Sequence, residues 1–145
     1  MFVADAPDAF KVYEQKNAIQ HSFGLGHYFI SRGKFEELSG FEVLPGEIIV
    51  SCAGTIGKTY VIPLAARRGI TNQALMKIAL YETAMQEFYL IYFDYALKTE
   101  ASESSKGTAL KNIPPFALLK QFLTPSRPSP NGSALSRPSI SVCRY

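Results

Sequence analysis

Residues 47–63 read EIIVSCAGTIGKTYVIP, and the run Gly57-Lys58-Thr59 within them is the usual ending of a phosphate-binding loop. Such a loop follows the pattern G-x-x-x-x-G-K-[ST] and leads into a helix whose first turn helps to bind the phosphate. Here Cys52 stands where the first glycine belongs, and the β-branched and aromatic run YVIP closes the stretch. The stretch therefore predicts two strands joined by a glycine turn with positive φ, and it disfavours a P-loop nucleotide-binding protein.

Short strand-like runs separated by turn residues extend this pattern over residues 12 to about 80. The runs are VYEQ, HYFI, FEVL, EIIVS, TYVI and ALMKIAL. Turns are expected at LPGE (44–47) and RRGI (67–70), and KFEELS (34–39) is expected to form a short helical turn. Alternation of this kind indicates a β-rich unit.

The period of the apolar residues changes after residue 80 and predicts a helix from about Ala84 to near Thr99. Thr83 is expected to cap this helix, because Gln86 follows three residues later and completes a capping box. The face predicted to be buried consists of Met85, Phe88, Tyr89, Tyr92, Ala96 and Leu97. An aromatic stripe of this kind is more typical of a packed core than of a cofactor site.

Beyond this helix the sequence predicts short elements. Residues 100–110 are small and polar and predict a loop, Pro114-Pro115 suits the start of a short helix, and FLTP (122–125) predicts a brief strand. The predicted fold is therefore α+β, with a twisted β-rich N-terminal part, a helix, short C-terminal elements and a disordered tail.

Composition limits the class of protein. The 145 residues suffice for one domain or a piece of one, and the hydrophobic content of 47% is ordinary for a globular chain. No apolar run reaches the roughly 18 residues of a membrane span, and MFVADAPDAF does not resemble a signal peptide. Two cysteines, Cys52 and Cys143, and two histidines predict neither a disulfide framework nor a usual zinc cluster. A cytoplasmic protein without metal or cofactor is expected.

The net charge of +3 belongs to the C-terminal end of the chain. Residues 1–125 carry equal numbers of basic and acidic side chains, so Arg127, Arg137 and Arg144 account for the whole excess. Residues 126–145 are rich in Ser, Pro and Arg without any period, which predicts a disordered tail. The basic isoelectric point is therefore no evidence that the folded part binds nucleic acid.

Six phrases in order carry a resemblance to a known family. They are VYEQKNAI, GHYFIS, KFEELSGFEVLPGEIIVSCAGTIGKTYVIP, RRGITNQALMKI, FYLIYF and SKGTALKNI. Together they resemble a target recognition domain of the specificity (S) subunit of type I restriction–modification systems. The resemblance covers about residues 12–125, and the separation of SCAGTIGK from GITNQALMKI is its most specific part. In that family the glycine segment is a structural turn.

The resemblance implies a role in DNA binding without catalysis. An S subunit carries two such domains separated by long spacer helices, and each domain reads one half of a split DNA sequence. The implied partners are DNA and the methyltransferase and endonuclease subunits. Catalysis would reside in those subunits, and the methyltransferase would use S-adenosylmethionine.

Residues that could contact DNA occur in several clusters of the sequence. Recognition needs cations for phosphates, and planar amides or guanidinium groups for base edges. The candidates are Lys16, Asn17, Arg32, Arg67, Arg68 and Gln73. Plain structural explanations stay open, since Lys16 and Arg68 suit a solvated surface, Asn17 suits a turn, and Gln73 suits bonds to backbone groups. The recognition loops vary within the family, so no base contact is transferred to this chain.

The sequence departs from the family at both ends. Further strands would normally precede VYEQ, so part of the β unit is expected to be missing. After Pro125 the family continues into a spacer helix, whereas here the Ser/Pro/Arg tail follows. Codons can be chosen for residues 125–140 that also encode LPPLAERQRIVAAID in a shifted reading frame. That second sequence is the one with which the family continues. Residues 126–145 are therefore interpreted as out of frame, and the alternative to a DNA-reading domain is a non-functional truncated remnant.

Overall fold

Strands fill the N-terminal part of the chain and a long helix follows them, so the fold is α+β, as predicted. The computed structural model describes residues 1–80, 84, 86–104 and 139–142, and for 97–104 and 139–142 it describes the backbone alone. The predicted cap Thr83, the helix at Pro114-Pro115 and the strand at 122–125 lie outside the described residues.

The described strands form two four-stranded sheets. The first sheet has the order β2-β1-β6-β3, with β1 and β6 parallel, and consists of β1 (Phe10–Tyr13), β2 (Phe29–Ile30), β3 (Glu42–Val43) and β6 (Gly69–Thr71). The second sheet has the antiparallel order β5-β4-β7-β8 and consists of β4 (Ile48–Ser51), β5 (Thr59–Val61), β7 (Leu75–Ala79) and β8 (Ser139–Val142). The helices are α1 (Gln15–Ile19), α2 (Arg32–Glu37) and α3 (Gln86–Ser104).

Three clusters of buried apolar side chains hold these elements together. The first packs α2 against the first sheet and contains Phe10, Val12, Ile30, Phe35 and Ile70. The second joins the two sheets and α1 and contains Tyr13, Ala18, Val43, Ile49, Ile62 and Leu75. The third packs α3 against the second sheet and contains Ile48, Val50, Met76, Ile78, Tyr89 and Phe93. Neighbouring residues of β4 enter different clusters because successive side chains of a strand point to opposite faces.

The glycine stretch forms the predicted turn between two strands. It joins β4 to β5, which pair in antiparallel fashion with Ile48 opposite Val61. Gly54 and Gly57 have φ of 65° and 80°, the conformation in which glycine is favoured. Ser51 closes the turn, since its hydroxyl donates to Thr55 O at 2.5 Å and its carbonyl accepts from Gly57 N at 2.8 Å. Thr59 begins a strand, so the segment lacks the helix that a P-loop requires.

Two elements of the first sheet correct the sequence predictions. RRGI was predicted to be a turn, but Gly69–Thr71 is strand β6, which pairs in parallel with β1. VYEQ was predicted to be a strand throughout, but β1 ends at Tyr13 and Gln15–Ile19 is helix α1. A parallel partner is distant in the sequence, and five residues are too short for a helical period to be visible. The helical turn predicted at KFEELS is confirmed as part of α2.

Helix α3 exists as predicted, but its end and its buried face differ. It continues to Ser104, so the loop predicted from residue 100 is wrong for residues 100–104. Of the residues predicted to be buried, Tyr89 and Ala96 are buried, whereas Phe88 is 51% exposed. Phe93, which the sequence analysis left out, lies in the core at 4% exposure. Aromatic residues occur on more than one side of this segment, so the period alone does not identify the inward face.

Part of the tail is ordered into a strand, so the prediction of a disordered tail is wrong for Ser139–Val142. These residues form β8, which pairs antiparallel with β7. The pattern Ser-Ile-Ser-Val alternates polar and apolar residues, as strands at a sheet edge commonly do. The composition of the whole tail masked this four-residue signal. Residues 126–138 and 143–145 lie outside the described residues.

None of the helices in the described part of the chain combines the length and the hydrophobicity needed to cross a membrane. The longest of them is α3, which carries several charged residues along its 19 positions.

Candidate nucleic-acid interface

Two exposed arginines lie together on an aromatic pair beside α2. The rings of Phe10 and Phe35 stack with centroids 3.9 Å apart at an interplanar angle of 14°. The guanidinium carbon of Arg68 lies 5.6 Å from the centre of the Phe10 ring and 5.1 Å from that of Phe35. The guanidinium carbon of Arg32 lies 5.9 Å from the centre of the Phe10 ring. We call Phe10, Arg32, Phe35 and Arg68 the arginine–aromatic patch.

The fold brings the two arginines of this patch together from distant parts of the chain. Arg32 is the first residue of α2, which packs Phe35 onto the first sheet. Arg68 immediately precedes β6, and its carbonyl accepts a hydrogen bond from Lys11 N at 3.0 Å. Because β6 pairs with β1, the Arg68 side chain reaches the ring of Phe10 at the start of β1.

The electrostatics of the patch leave positive charge at the surface. Arg68 donates from Nε to Glu42 Oε1 at 2.9 Å and places Nη2 2.8 Å from the same oxygen. Its side chain is nevertheless 65% exposed, so its remaining N–H groups face solvent. Arg32 is exposed as well. Cation–π contacts of this kind contribute about 0.5–1 kcal/mol at exposed sites. The patch therefore places two guanidinium groups at the surface beside the rings, and one of them is paired with Glu42.

Arg67 points away from this patch, because adjacent residues in extended chain face opposite sides. Its Nη1 pairs with Asp5 Oδ1 at 2.5 Å, and its Nη2 donates to the carbonyl oxygen of Ala6. Its guanidinium carbon lies 5.0 Å from the centre of the Phe29 ring. Arg67 thus ties the N-terminal segment to the first sheet, and a contact with DNA would have to break these bonds.

Lys16 belongs to a charged cluster at the opposite end of β1. Its Nζ lies 2.9 Å from Glu14 Oε2 and 5.9 Å from the centre of the Tyr28 ring. Beside it, the buried Lys11 donates from Nζ to Gly26 O at 3.1 Å. Burial lowers the pKa of Lys11, and the negative charges of Glu14 and Asp5 oppose that shift. Lys16 keeps a side-chain exposure of 39%, so it remains accessible from solvent.

Asn17 is not accessible to DNA in this structure, which corrects its place among the candidates. Its side chain is fully buried. The amide nitrogen donates to Ser22 O and Leu25 O, each at 2.8 Å, and the amide oxygen accepts from Glu14 N at 2.7 Å. Asn17 lies in α1 rather than in a turn, and its amide caps the first turn of that helix and holds the loop after it.

Gln73 is exposed in the turn between β6 and β7. Its neighbour Asn72 accepts a hydrogen bond from Ala74 N at 3.1 Å and so builds the turn. The glycine hairpin lies nearby, because Cys52 N donates to Ala74 O at 2.9 Å. Gln15 of α1 accepts from Ala53 N at 3.1 Å, which joins α1 to the same hairpin. Gln73 therefore stands on an edge of loops distinct from the arginine–aromatic patch.

The structure divides the six candidates rather than assembling them. Arg32 and Arg68 share the arginine–aromatic patch, Gln73 and Lys16 are accessible elsewhere, Arg67 is engaged internally and Asn17 is buried. Phe10 and Phe35 were not among the sequence candidates, although the Phe10 ring lies beside both arginines of the patch and the Phe35 ring lies beside Arg68. Phenylalanine in a strand or helix normally indicates core, so no sequence signal distinguished these two rings.

A scan against protein-family models and searches of curated proteins and of solved structures found no match to this chain. Among the described residues, no group of three or more His, Cys, Asp and Glu side chains is placed to hold a metal ion.

Proposed function

We propose that this chain is a DNA-reading domain of the kind found in S subunits of type I restriction–modification systems, acting on one half of a split target. The observation that carries the proposal is the arginine–aromatic patch. The guanidinium groups of Arg32 in α2 and Arg68 just before β6 lie at the surface beside the stacked rings, and the planar guanidinium group suits phosphate oxygens.

The resemblance of residues 12–125 to that family supports the same proposal, as does the structural use of the glycine hairpin. In this role the chain is not an enzyme. Methyltransferase and endonuclease subunits would be its partners where a spacer helix is supplied, and the cytoplasm would be its location. Lys16 and Gln73 are the remaining candidates for DNA contacts, and Arg67 would act by supporting the first sheet.

The alternative is a truncated remnant that keeps the fold and has lost DNA binding. The observation that favours it is the tail, where the family's spacer helix is replaced by a Ser/Pro/Arg-rich segment. The two proposals predict the same fold and differ in the affinity for DNA.

The test is selection from a pool of random-sequence DNA duplexes, followed by affinity measurement by fluorescence anisotropy between about 50 and 200 mM salt. The expected binding is weak and salt-sensitive, because residues 1–125 are net neutral and one half-domain contacts few phosphates. Changing both Arg32→Ala and Arg68→Ala is expected to lower the slope of log affinity against log salt by about 1–2, since each lost phosphate contact removes about 1 and the charge of Arg68 is shared with Glu42.

Lys34→Ala is the matched control. Lys34 lies in the same helix as Arg32, and its Nζ is paired with Glu37 Oε2 at 2.6 Å. This variant removes one positive charge and is expected to leave the salt slope unchanged. Equal slopes for the unmodified chain and the double arginine variant would remove the patch from the interface. No binding by the unmodified chain at low salt would favour the remnant.

A further inference from the structure

One edge of the second sheet depends on the tail of the chain. Strand β7 pairs with β4 along one side, with Ile48 opposite Ile78. Along its other side it pairs with β8. Residues 105–138 separate β8 from the end of α3, so this edge is closed by a segment remote in sequence. A sheet edge exposes a row of N–H and C=O groups that can accept another strand.

The register of β8 matches the two faces of β7. Val142 and Ile140 stand at the positions opposite Met76 and Ile78, and Ser141 and Ser139 stand opposite Lys77 and Ala79. Met76 and Ile78 are buried at 1% and 0% exposure against α3. Residues directly opposite each other in an antiparallel pair share a face of the sheet. The apolar positions of Ser-Ile-Ser-Val therefore fall in phase with the apolar face of β7.

A slip of one residue would reverse this match. A slip in one direction would put Ser139 and Ser141 opposite Ile78 and Met76, and a slip in the other direction would put Ile140 and Val142 opposite Ala79 and Lys77. An alternating strand has two possible phases on this edge, and β8 takes the one that places its apolar positions opposite Met76 and Ile78.

We propose that the edge of β7 facing away from β4 is a strand-binding site, and that Ser139–Val142 is its intramolecular ligand. The site takes a short extended peptide with apolar residues at alternate positions. Backbone hydrogen bonds supply the general affinity, and the positions beside Met76 and Ile78 supply the selectivity. This edge lies in the second sheet, whereas the arginine–aromatic patch lies on the first, so the inference does not depend on the DNA-binding role.

The first experiment measures amide hydrogen exchange by NMR in the full-length chain. The β7 amides that do not donate to β4 are the reporters, because β8 protects them. Changing Ile140→Ala and Val142→Ala is expected to accelerate their exchange about tenfold or more, since truncating apolar groups at the positions opposite Met76 and Ile78 weakens the docked strand. The matched control changes Ser139→Ala and Ser141→Ala, which makes the same number of alanines on the other face, and should change exchange less than about twofold.

The second experiment supplies the strand in trans. A peptide with the sequence RPSISV (residues 137–142) is titrated into the Ile140→Ala, Val142→Ala chain and should restore protection of the same β7 amides. The peptide RPSASA should not. Failure of RPSISV to restore protection would overturn the strand-binding site. So would fast exchange of these amides in the unmodified chain, or equal loss of protection in the two paired variants.

Discussion

The amide group of Asn17 uses both of its donors and one acceptor site inside the loop that follows α1. Lys16, the preceding residue, keeps much of its side chain in solvent. At the scale of residues, two neighbours that the sequence presents as equivalent DNA-binding candidates therefore have different roles. The buried amide stabilises the loop, and the exposed cation is available to a ligand.

We expect Asn17→Ala to lower the free energy of unfolding by about 2 kcal/mol, because it removes a fully buried amide and leaves the partly buried carbonyl groups of Ser22 and Leu25 without this donor. Urea denaturation followed by far-UV circular dichroism measures this change. Lys16→Ala is the control and should cost less than about 1 kcal/mol, as expected for a partly exposed ion pair. Equal costs for the two variants would show that the Asn17 hydrogen bonds do not stabilise the fold.

Tyr13 gives the fold a pH dependence at alkaline pH. Its hydroxyl donates to Arg67 O at 2.6 Å, and burial raises its pKa to about 12, with a smaller contribution from Tyr60. The unfolded chain ionises this tyrosine near pH 10, whereas the folded chain retains the proton. The contribution of Tyr13 to stability is therefore complete below pH 10 and is lost as the pH rises from 10 to about 12.

Between pH 10 and about 12, the unmodified chain is expected to lose about 2–3 kcal/mol of its free energy of unfolding because of Tyr13. The Tyr13→Phe chain is expected not to show this part of the loss. Denaturation curves measured at several pH values between 9 and about 12 test it. Some pH dependence should remain, because burial also raises the pKa of Tyr89. Tyr28→Phe, at an exposed position, is the control. If the free energy of unfolding of the Tyr13→Phe chain fell with pH as steeply as that of the unmodified chain, the prediction would be wrong.

At the scale of elements, α3 packs one aromatic face on the second sheet and leaves another at the surface. Tyr89 and Phe93 contact the cluster around Ile48 and Ile78. Phe88, Ile91 and Tyr95 are exposed by more than half of their surface. The contribution of each aromatic residue therefore depends on its position around the helix.

We expect Phe93→Ala to lower the free energy of unfolding by about 3–5 kcal/mol, since it removes a buried ring and leaves a cavity beside Ile78. Phe88→Ala makes the same change at a position that is 51% exposed and should cost less than about 1 kcal/mol. Thermal or urea unfolding of the two variants decides between the observed face and the face predicted from the sequence. A larger loss of stability for Phe88→Ala than for Phe93→Ala would support the face predicted from the sequence.

The pairing of β1 with β6 depends on a glycine. A Cβ atom on Gly69 would overlap the carbonyl group of Lys11, which lies directly opposite in the register. We expect Gly69→Ala to force the two strands apart and to cost about 3 kcal/mol or more. Gly40→Ala, where a Cβ would meet nothing within 4 Å, is the control and should stay within about 0.5 kcal/mol. Equal unfolding midpoints for the two variants would show that β1 and β6 lie farther apart at Gly69 than the structure places them.

At the scale of the whole molecule, the tail has two competing descriptions. Read as it stands, it contributes β8 to the second sheet. Read in the shifted frame, it would begin LPPLAERQRIVAAID and extend into a spacer helix that binds methyltransferase subunits. The two states exclude each other, because the frame shift replaces the residues that form β8.

Under the proposed function, we expect the frame-restored chain to co-purify with cognate methyltransferase subunits when a second recognition domain is supplied. The chain as it stands should not, because it lacks the spacer helix. A chain ending at Pro125 is the control, since it lacks both the strand and the spacer. Equal co-purification of all three would refute the frame-shift interpretation and would leave the β7 site untouched.

The sequence alone determined the local features of this protein. Glycines at the positions of positive φ and β-branched flanks specify the β4–β5 hairpin, since such turns depend on a few adjacent residues. The change of apolar period specifies that a long helix follows the strands. Arg32 and Arg68 were chosen as candidates from residue type, because few other side chains suit phosphate, and their contact with DNA stays a prediction.

Tertiary structure alone decided the features that join distant segments. Strand β6 exists because the backbone of Lys11 lies against Gly69, and β8 exists because the edge of β7 is open to it. The inward face of α3 was set by the sheet beneath it. Arg67 and Arg68 are neighbours in the sequence, but Arg67 pairs with Asp5 whereas Arg68 lies beside the Phe10 ring. Partners of this kind are brought together only by folding, so no local pattern of residues specifies them.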